Sequence, residues 1–257
     1  MRNLKLLLAY DGSDFCGWQV QPASPSIQGE LSSAIGRLTG ENVLPQASGR
    51  TDAGVHALAQ VASFATASSI PTRNLVTALN HMLPASIRVL EASEVPPDFH
   101  ARKSAKRKTY RYRIYRPAIC PPFLARYVWH YPYPLCFESL AAAAPLIEGE
   151  RDFTSFAAVD PEKQTEAGES ELRERPNVRV IFSSCWRRQG DELVYEVSGN
   201  GFLHHMVRNL VGTYLLIGKG TIRGDEILKI LAAKNRSAAG ATAPANGLYL
   251  VNVDYGT

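Results

Sequence analysis

The sequence predicts a mixed α+β protein made of two tandem ferredoxin-like β-α-β-β-α-β halves, with largely antiparallel sheets joined around a central cleft. Two observations support this fold class. Short alternating or apolar stretches, typical of strands, are separated by stretches in which apolar residues recur every three to four positions, as in helices. The order of these stretches also repeats, first in residues 1–103 and again in residues 104–257. We therefore expect two domains of similar construction.

The first half contains six predicted elements. An apolar run over residues 4–10 ends at Asp11-Gly12, as expected for a strand followed by a turn. Apolar residues recur at helical spacing from Ile27 to Leu38, between Ser24-Pro25 and Gly40, which predicts an amphipathic helix. The other predicted elements are a strand over residues 43–47, a strand over 60–66, a helix over 75–82 that stops before Pro84, and a strand over 87–92.

The second half repeats this order with two interruptions. Its predicted elements are a strand over residues 109–115, a helix over 140–147 closed by Gly149, a hairpin of strands over 178–186 and 193–198, helices over 203–215 and 225–234, and a strand over 248–254. Residues 117–134 are rich in Pro and Tyr and indicate an irregular connection. Residues 160–176, with six acidic and three basic side chains, indicate an exposed, mobile loop.

Composition excludes several classes of protein. With 45% hydrophobic and 20% charged residues, the chain is typical of a globular protein rather than a disordered one. Its net charge of +4 is too small by itself to indicate a polyanionic partner. No stretch has the 18 apolar residues of a membrane span, so no membrane association is expected. The four cysteines form no Cys-x-x-Cys pair, which predicts free thiols in a cytoplasmic protein and no zinc site.

The most distinctive stretch is residues 49–57, which places Asp52 between two glycines and two residues after Arg50. A carboxylate in a tight Gly-flanked turn is poorly placed for a hydrophobic core and well placed to meet a ligand at close backbone approach. By itself the pattern fits either a catalytic carboxylate or one that shapes the turn. His56 is predicted to be structural rather than a general base.

A basic and aromatic segment follows at residues 102–116, which hold eight of the 28 basic residues and no acidic one. On a strand, Tyr110 and Tyr112 would share one face and Arg111 and Arg113 the other. The segment could be a strand with buried tyrosines and solvated arginines. The lack of acidic residues within it favours a nucleic-acid surface, where cations contact phosphates and aromatic rings stack on bases.

The third candidate region, residues 200–209, leads into the strongest helical stripe. His204 and Arg208 are four residues apart and are predicted to share a helix face. Arg208 could be an ordinary exposed arginine, or it could pair with a carboxylate such as Asp52. Two adjacent histidines point in different directions, so no metal site is expected there.

Motifs in this order resemble those of the tRNA pseudouridine synthase A family over nearly the whole chain. The matching motifs are Tyr10-Asp11-Gly12, Gly17-Trp18-Gln19, residues 49–57, Ala78-Leu79-Asn80, Leu83-Pro84, Phe99-His100-Ala101-Arg102, Tyr110-Arg111-Tyr112, residues 152–156, residues 202–209, Ala243-Pro244 and residues 247–250.

The resemblance implies a specific reaction. Such enzymes convert uridines at positions 38 to 40 of the tRNA anticodon stem-loop into pseudouridine, without a metal or an organic cofactor. Asp52 matches the essential aspartate of the family, and Arg50 the arginine that helps to flip the nucleotide. Tyr110 matches the tyrosine that packs on the target base, and Arg208 a basic residue that pairs with the aspartate. The family is generally dimeric, so tRNA and a second copy of the chain are the expected partners.

The chemistry of the residues agrees with this expectation. A lone carboxylate differs from the flanking pair of ordinary glycoside hydrolysis and suits an isomerisation that retains the base. Whether it acts as a nucleophile or otherwise promotes glycosidic cleavage stays open. Two alternatives also stay open, namely a non-catalytic RNA-binding module and an RNA glycosidase that releases uracil.

Overall fold

The computed structural model of the protein describes residues 1–22, 24–158 and 177–256. The chain forms two compact units: unit 1 contains Met1–Thr109 and Leu248–Thr257, and unit 2 contains Tyr110–Gly247. Both units combine helices with mostly antiparallel strands, so the predicted mixed α+β class is confirmed. The acidic segment predicted to be an exposed loop, residues 160–176, lies outside the described residues.

The sheet of unit 1 is centred on strand β1, Arg2–Tyr10. Its side chains alternate as the sequence predicts, with Leu4, Leu6, Leu8 and Tyr10 facing the core. Antiparallel neighbours lie on either side of β1: β3, His56–Thr66, and β4, Ile87–Val95. The sheet continues at β3, which pairs antiparallel with β2, Gln46–Ala47, and parallel with β10, Leu248–Asp254.

Two helices complete unit 1 where the sequence predicts them. Helix α1, Ile27–Thr39, begins at Ser26, whose hydroxyl accepts a hydrogen bond from the Gly29 N–H, and ends at Gly40. Gly40 has a φ of +75°, a left-handed conformation that glycine adopts without strain. Helix α2, Thr72–Met82, buries Leu75 and Leu79 and packs on β4.

Unit 2 contains most of strand β5, Arg107–Tyr115, together with further strands and helices that surround a second core. These are β6, Trp129–His130; α3, Phe137–Ala143; β7, Gly149–Asp152; β8, Val178–Gln189; and β9, Glu192–Gly199. Two helices follow: α4, Met206–Gly218, and α5, Glu226–Ala233. Strands β7, β8 and β9 pair antiparallel, and the predicted hairpin of β8 and β9 is confirmed.

The predicted start of one helix in unit 2 is wrong. Helix α4 begins at Met206, three residues later than predicted, because His205 takes a left-handed conformation with a φ of +58°. His204 therefore precedes the helix and does not share a helix face with Arg208. Gly149, predicted to close the helix over residues 140–147, follows the end of these helical residues and begins the short strand β7. Among the described residues, no helix combines the length and the apolar character needed to cross a bilayer.

Candidate active site

Asp52 lies in the connection between β2 and β3 of unit 1. Thr51, the middle residue of the Arg50-Thr51-Asp52 motif, is buried, with only 6% of it exposed. On either side of it, Arg50 is exposed and Asp52 is partly exposed. The hydroxyls of Thr51 and Tyr10 are hydrogen-bonded at 2.8 Å. Thr51 thus anchors the connection to β1, while the two charged side chains beside it reach solvent.

Backbone contacts hold the Asp52 connection against the segment that follows β1. The Trp18 N–H donates to the Thr51 carbonyl (3.0 Å), and the Gly54 N–H donates to the Phe15 carbonyl (3.3 Å). A Cβ atom added at Gly17 would lie 2.5 Å from the Thr51 oxygen, and Gly17 also has a φ of +95°. Only glycine fits both the conformation and the close approach. The Gly17-Trp18 motif therefore packs against the backbone of the Asp52 connection and holds it in place.

Buried polar side chains also fix the connection, although the sequence pattern predicted no role for them. The side-chain amide of Gln60 donates to the Gly49 carbonyl (2.9 Å) and accepts from the Ser48 hydroxyl (2.7 Å). It also donates to the Tyr10 hydroxyl (3.3 Å). Burial raises the pKa of Tyr10 to about 12, so this hydroxyl stays protonated at neutral pH. The sequence signal was a glutamine within a strand of mostly apolar residues.

His56 lies at the start of β3 and packs inside unit 1. Only 2% of it is exposed, and its ring stacks on Tyr249 of the parallel strand β10 at 4.8 Å. The Gly12 N–H donates to its Nδ1 atom (3.1 Å), which requires that nitrogen to be unprotonated. Asp11 Oδ1, 3.2 Å from the same nitrogen, accepts hydrogen bonds from the N–H and O–H of Ser13. This geometry favours a structural role for His56.

Tyr110 belongs to unit 2 and lies on β5. It is nearly buried, and its ring meets Phe202 edge-on with the centroids 4.9 Å apart. Tyr112 is fully buried and lies on the same face of the strand, as predicted. Phe202, in the loop before α4, is a neighbour that sequence spacing could not reveal because it lies far from Tyr110 along the chain.

Arg208 lies on the first turn of α4, also in unit 2, and is partly exposed. Its Nε–H donates to the Ala243 carbonyl at 2.7 Å. Burial raises the pKa of Tyr112 well above its ordinary value, and the nearby positive charge of Arg208 opposes this rise. Unit 2 therefore brings Arg208 close to the strand that carries Tyr110, while unit 1 carries both Arg50 and Asp52.

The structure changes the interpretation of the basic segment. Because residues 102–116 contain no acidic residue, the sequence predicted a surface of unpaired cations. Strand β9, however, supplies carboxylates that pair with two arginines of the segment. Arg111 pairs with Glu196 at 3.0 Å, and Arg113 pairs with Glu192 at 2.6 Å. Lys108 donates to the Ser48 carbonyl at 2.5 Å. The exposed basic residues of the segment are Arg102, Lys103, Lys106 and Arg107.

Comparison with known proteins identifies close relatives. The family described as tRNA pseudouridine synthase matches residues 7–102 and 143–256. The tRNA pseudouridine synthase A of Solibacter usitatus is 49% identical, over 99% of this chain and 100% of its own length. The proteins of the same name from Moorella thermoacetica and Halalkalibacterium halodurans are 47% and 46% identical, over 99% and 96% of this chain and 100% and 90% of their own lengths.

Proposed function

The chain belongs to the tRNA pseudouridine synthase family, and from this premise we propose that it isomerises uridine to pseudouridine in tRNA. The reaction breaks the N1–C1′ bond, turns the uracil while it stays bound, and joins C5 to C1′. A proton leaves C5 and N1 gains one, so the product has the composition of the substrate. The observation that carries the proposal is the anchored Thr51, which displays Arg50 and Asp52 on either side.

We propose uridines at positions 38 to 40 of the anticodon stem-loop as the targets, following the family resemblance. A base in a stem is inaccessible to an enzyme until it is extruded, at a cost of a few kcal/mol. Asp52 is proposed as the essential carboxylate and Arg50 as the side chain that assists extrusion. Tyr110 is proposed to pack on the extruded uracil, and Arg208 to supply a positive charge to the reaction.

The decisive experiment treats an unmodified tRNA transcript, with uridines at positions 38, 39 and 40, with the purified protein. Pseudouridine is then mapped at single-nucleotide resolution, and free uracil is assayed by chromatography. Pseudouridine within positions 38 to 40 without released uracil supports the proposal. Released uracil would identify a glycosidase, and tRNA binding without any base change would identify a non-catalytic RNA-binding protein.

Replacing Tyr110 with phenylalanine should lower kcat about 100-fold with little change in KM for tRNA. We propose that the Tyr110 hydroxyl also assists removal of the C5 proton. The phenylalanine ring still packs on the base, but this hydroxyl is absent, and general-base catalysis contributes about 10²- to 10⁴-fold. A transcript deuterated at uridine C5 should then show an isotope effect, because proton removal limits the rate. Near-normal turnover of Tyr110→Phe would exclude an obligatory role for the hydroxyl.

Exposed basic residues of unit 1 are expected to bind tRNA phosphates. Replacing Lys103 and Lys106 with alanine should weaken tRNA binding and flatten its salt dependence, by about 0.7 to 0.9 in log–log slope for each phosphate that is no longer neutralised. Arg113→Ala is the matched control, since its guanidinium is bound to Glu192. It should lower thermal stability and leave the slope unchanged. A slope altered by Arg113→Ala alone would place the RNA surface elsewhere.

We propose a cytoplasmic homodimer that needs no metal or organic cofactor, and two halves that share the ferredoxin-like β-α-β-β-α-β order. The order β1-α1-β2-β3-α2-β4 in unit 1 supports the last point. Light scattering coupled to size-exclusion chromatography distinguishes a dimer from the 28.2 kDa monomer.

A further inference from the structure

The motif Ala243-Pro244 resembles the family pattern, and its Ala243 carbonyl accepts the hydrogen bond from Arg208 described above. It belongs to residues 240–244, which contact both helix α4 and strand β5 of unit 2. We propose that this 240–244 segment is a positioning element that fixes the guanidinium of Arg208. The inference rests on the proposed function, in which Arg208 supplies positive charge to the reaction.

Arg208 and Ala243 are joined by two hydrogen bonds. The Arg208 Nε–H donates to the Ala243 carbonyl (2.7 Å), and the Ala243 N–H donates to the Arg208 carbonyl (3.2 Å). A guanidinium is planar and carries five N–H donors in a rigid fork. A bond at Nε therefore sets the direction of the Nε–H and restricts the positions that the terminal nitrogens can take. The orientation of Arg208 depends directly on where the Ala243 carbonyl lies.

A polar cluster around the fully buried Asn209 holds the residue before Ala243. The Thr242 hydroxyl donates to Asn209 Oδ1 (2.7 Å) and accepts from the guanidinium of Arg236 (3.1 Å). Arg236 also donates to Asn209 Oδ1 (3.0 Å). The amide nitrogen of Asn209 donates to the Phe156 carbonyl (2.7 Å). A network whose members are hydrogen-bonded in this way is rigid, so Thr242 is tied firmly to α4.

The other side of the segment is tied to β5. The Tyr112 hydroxyl donates to the Pro244 carbonyl at 2.7 Å, and Tyr112 itself is fully buried. Nearer its start, the segment packs directly on the backbone of α4: a Cβ atom added at Gly212 would clash with the Ala241 carbonyl. The segment is thus bound to the helix that carries Arg208 and to the strand that carries Tyr110.

These contacts set the orientation of Arg208 during folding rather than during the reaction. Pre-formed geometry of this kind accelerates a reaction, and misplacement by about 1 Å can cost 100-fold in rate. Removing the hydrogen bonds of the Thr242 hydroxyl should shift the Ala243 carbonyl and so reduce kcat. The loss should be smaller than 100-fold, because the Pro244 and Gly212 contacts remain. Binding of tRNA should be unaffected, since Thr242 is proposed to act only through Ala243 and Arg208.

Thr242→Val tests this role, because valine keeps the shape of threonine and removes the hydroxyl. We expect kcat to fall about tenfold with KM for tRNA unchanged within twofold, and Thr242→Ser to restore kcat. Thr39→Val is the matched control in α1: Thr39 also donates one hydrogen bond, to the Ile35 carbonyl, and accepts one, from the Glu41 N–H. It should leave kcat unchanged. A Thr242→Val enzyme with a lowered Tm and normal kcat would show a merely structural role and overturn the proposal.

A double-mutant cycle with Arg208→Lys gives a second, independent readout. Lysine keeps a positive charge but has no Nε–H fork for the Ala243 carbonyl to orient. If Thr242 acts through Arg208, Thr242→Val should lower kcat less than twofold in the Arg208→Lys background. A tenfold loss in both backgrounds would overturn the proposal. Failure of the proposed function is distinguishable, because the unaltered protein would then form no pseudouridine at all.

Discussion

Replacing Asp52 with asparagine or alanine is expected to abolish pseudouridine formation while tRNA binding persists. The asparagine variant keeps the shape of the side chain and removes its charge, so neither nucleophilic attack nor electrostatic assistance to glycosidic cleavage remains. Loss of a group at the centre of a catalytic unit lowers kcat by roughly four orders of magnitude or more. Because Asp52 is partly exposed, the free energy of unfolding should change by no more than about 0.5 kcal/mol.

The measurement is a single-turnover assay with enzyme in excess over an anticodon stem-loop transcript, together with binding of the same transcript. Asp98→Asn serves as the control, since Asp98 is an exposed carboxylate in unit 1 outside the Asp52 connection. It should retain full activity. Pseudouridine formed by Asp52→Asn at a rate near that of the unaltered protein would show that another group performs the reaction.

Replacing Arg50 with alanine is expected to produce the second-largest effect, a loss of about 10²- to 10³-fold in kcat on a paired target. That range corresponds to the few kcal/mol that extrusion of a stacked base costs. Arg50 is exposed beside the anchored Thr51, so its removal should not disturb the connection that holds Asp52. The loss should therefore come from extrusion and not from altered chemistry.

A second substrate separates these two causes. A transcript with a mismatch at the target uridine needs less energy for extrusion, because an unpaired base is already partly unstacked. Arg50→Ala should recover most of its activity on this transcript, whereas Asp52→Asn should not. The exposed Arg73 on α2 provides the control substitution, with full activity expected on both transcripts. An equal loss from Arg50→Ala on both transcripts would contradict a role in extrusion.

The sequence predicted the elements whose signals are local. The alternation in β1 and the Ser26 and Gly40 caps of α1 depend on residues near one another in the chain. The delayed start of α4 could not be predicted in this way, because a non-glycine residue such as His205 in a left-handed conformation carries no clear sequence signal. The bounds of the two-residue strand β2 and the short strand β7 are likewise set by pairing with a neighbouring strand, which the local sequence does not show.

The same distinction applies to the candidate site. The motif around Asp52 was recognisable because its glycines and charged residues are adjacent. The pairing of Arg113 with Glu192 joins residues 79 positions apart, so a count of charges within residues 102–116 could not reveal it. The hydrogen bond between Arg208 and Ala243 spans 35 residues. Contacts of this kind depend on the tertiary fold and have no signal in the local sequence.

The parallel pairing of β10 with β3 also affects how the protein is made. Tyr249 pairs with His56, the first residue of the strand that follows the Asp52 connection, and the two rings stack. During synthesis the ribosome must therefore add residues 57–248 before Tyr249, the partner of His56, is present. The amino-terminal part of the nascent chain carries Asp52 early, but the edge of β3 beside it stays uncovered until strand β10 has been synthesised. Maturation of this part of the enzyme is thereby tied to synthesis of β10, which lies almost 200 residues further along the chain.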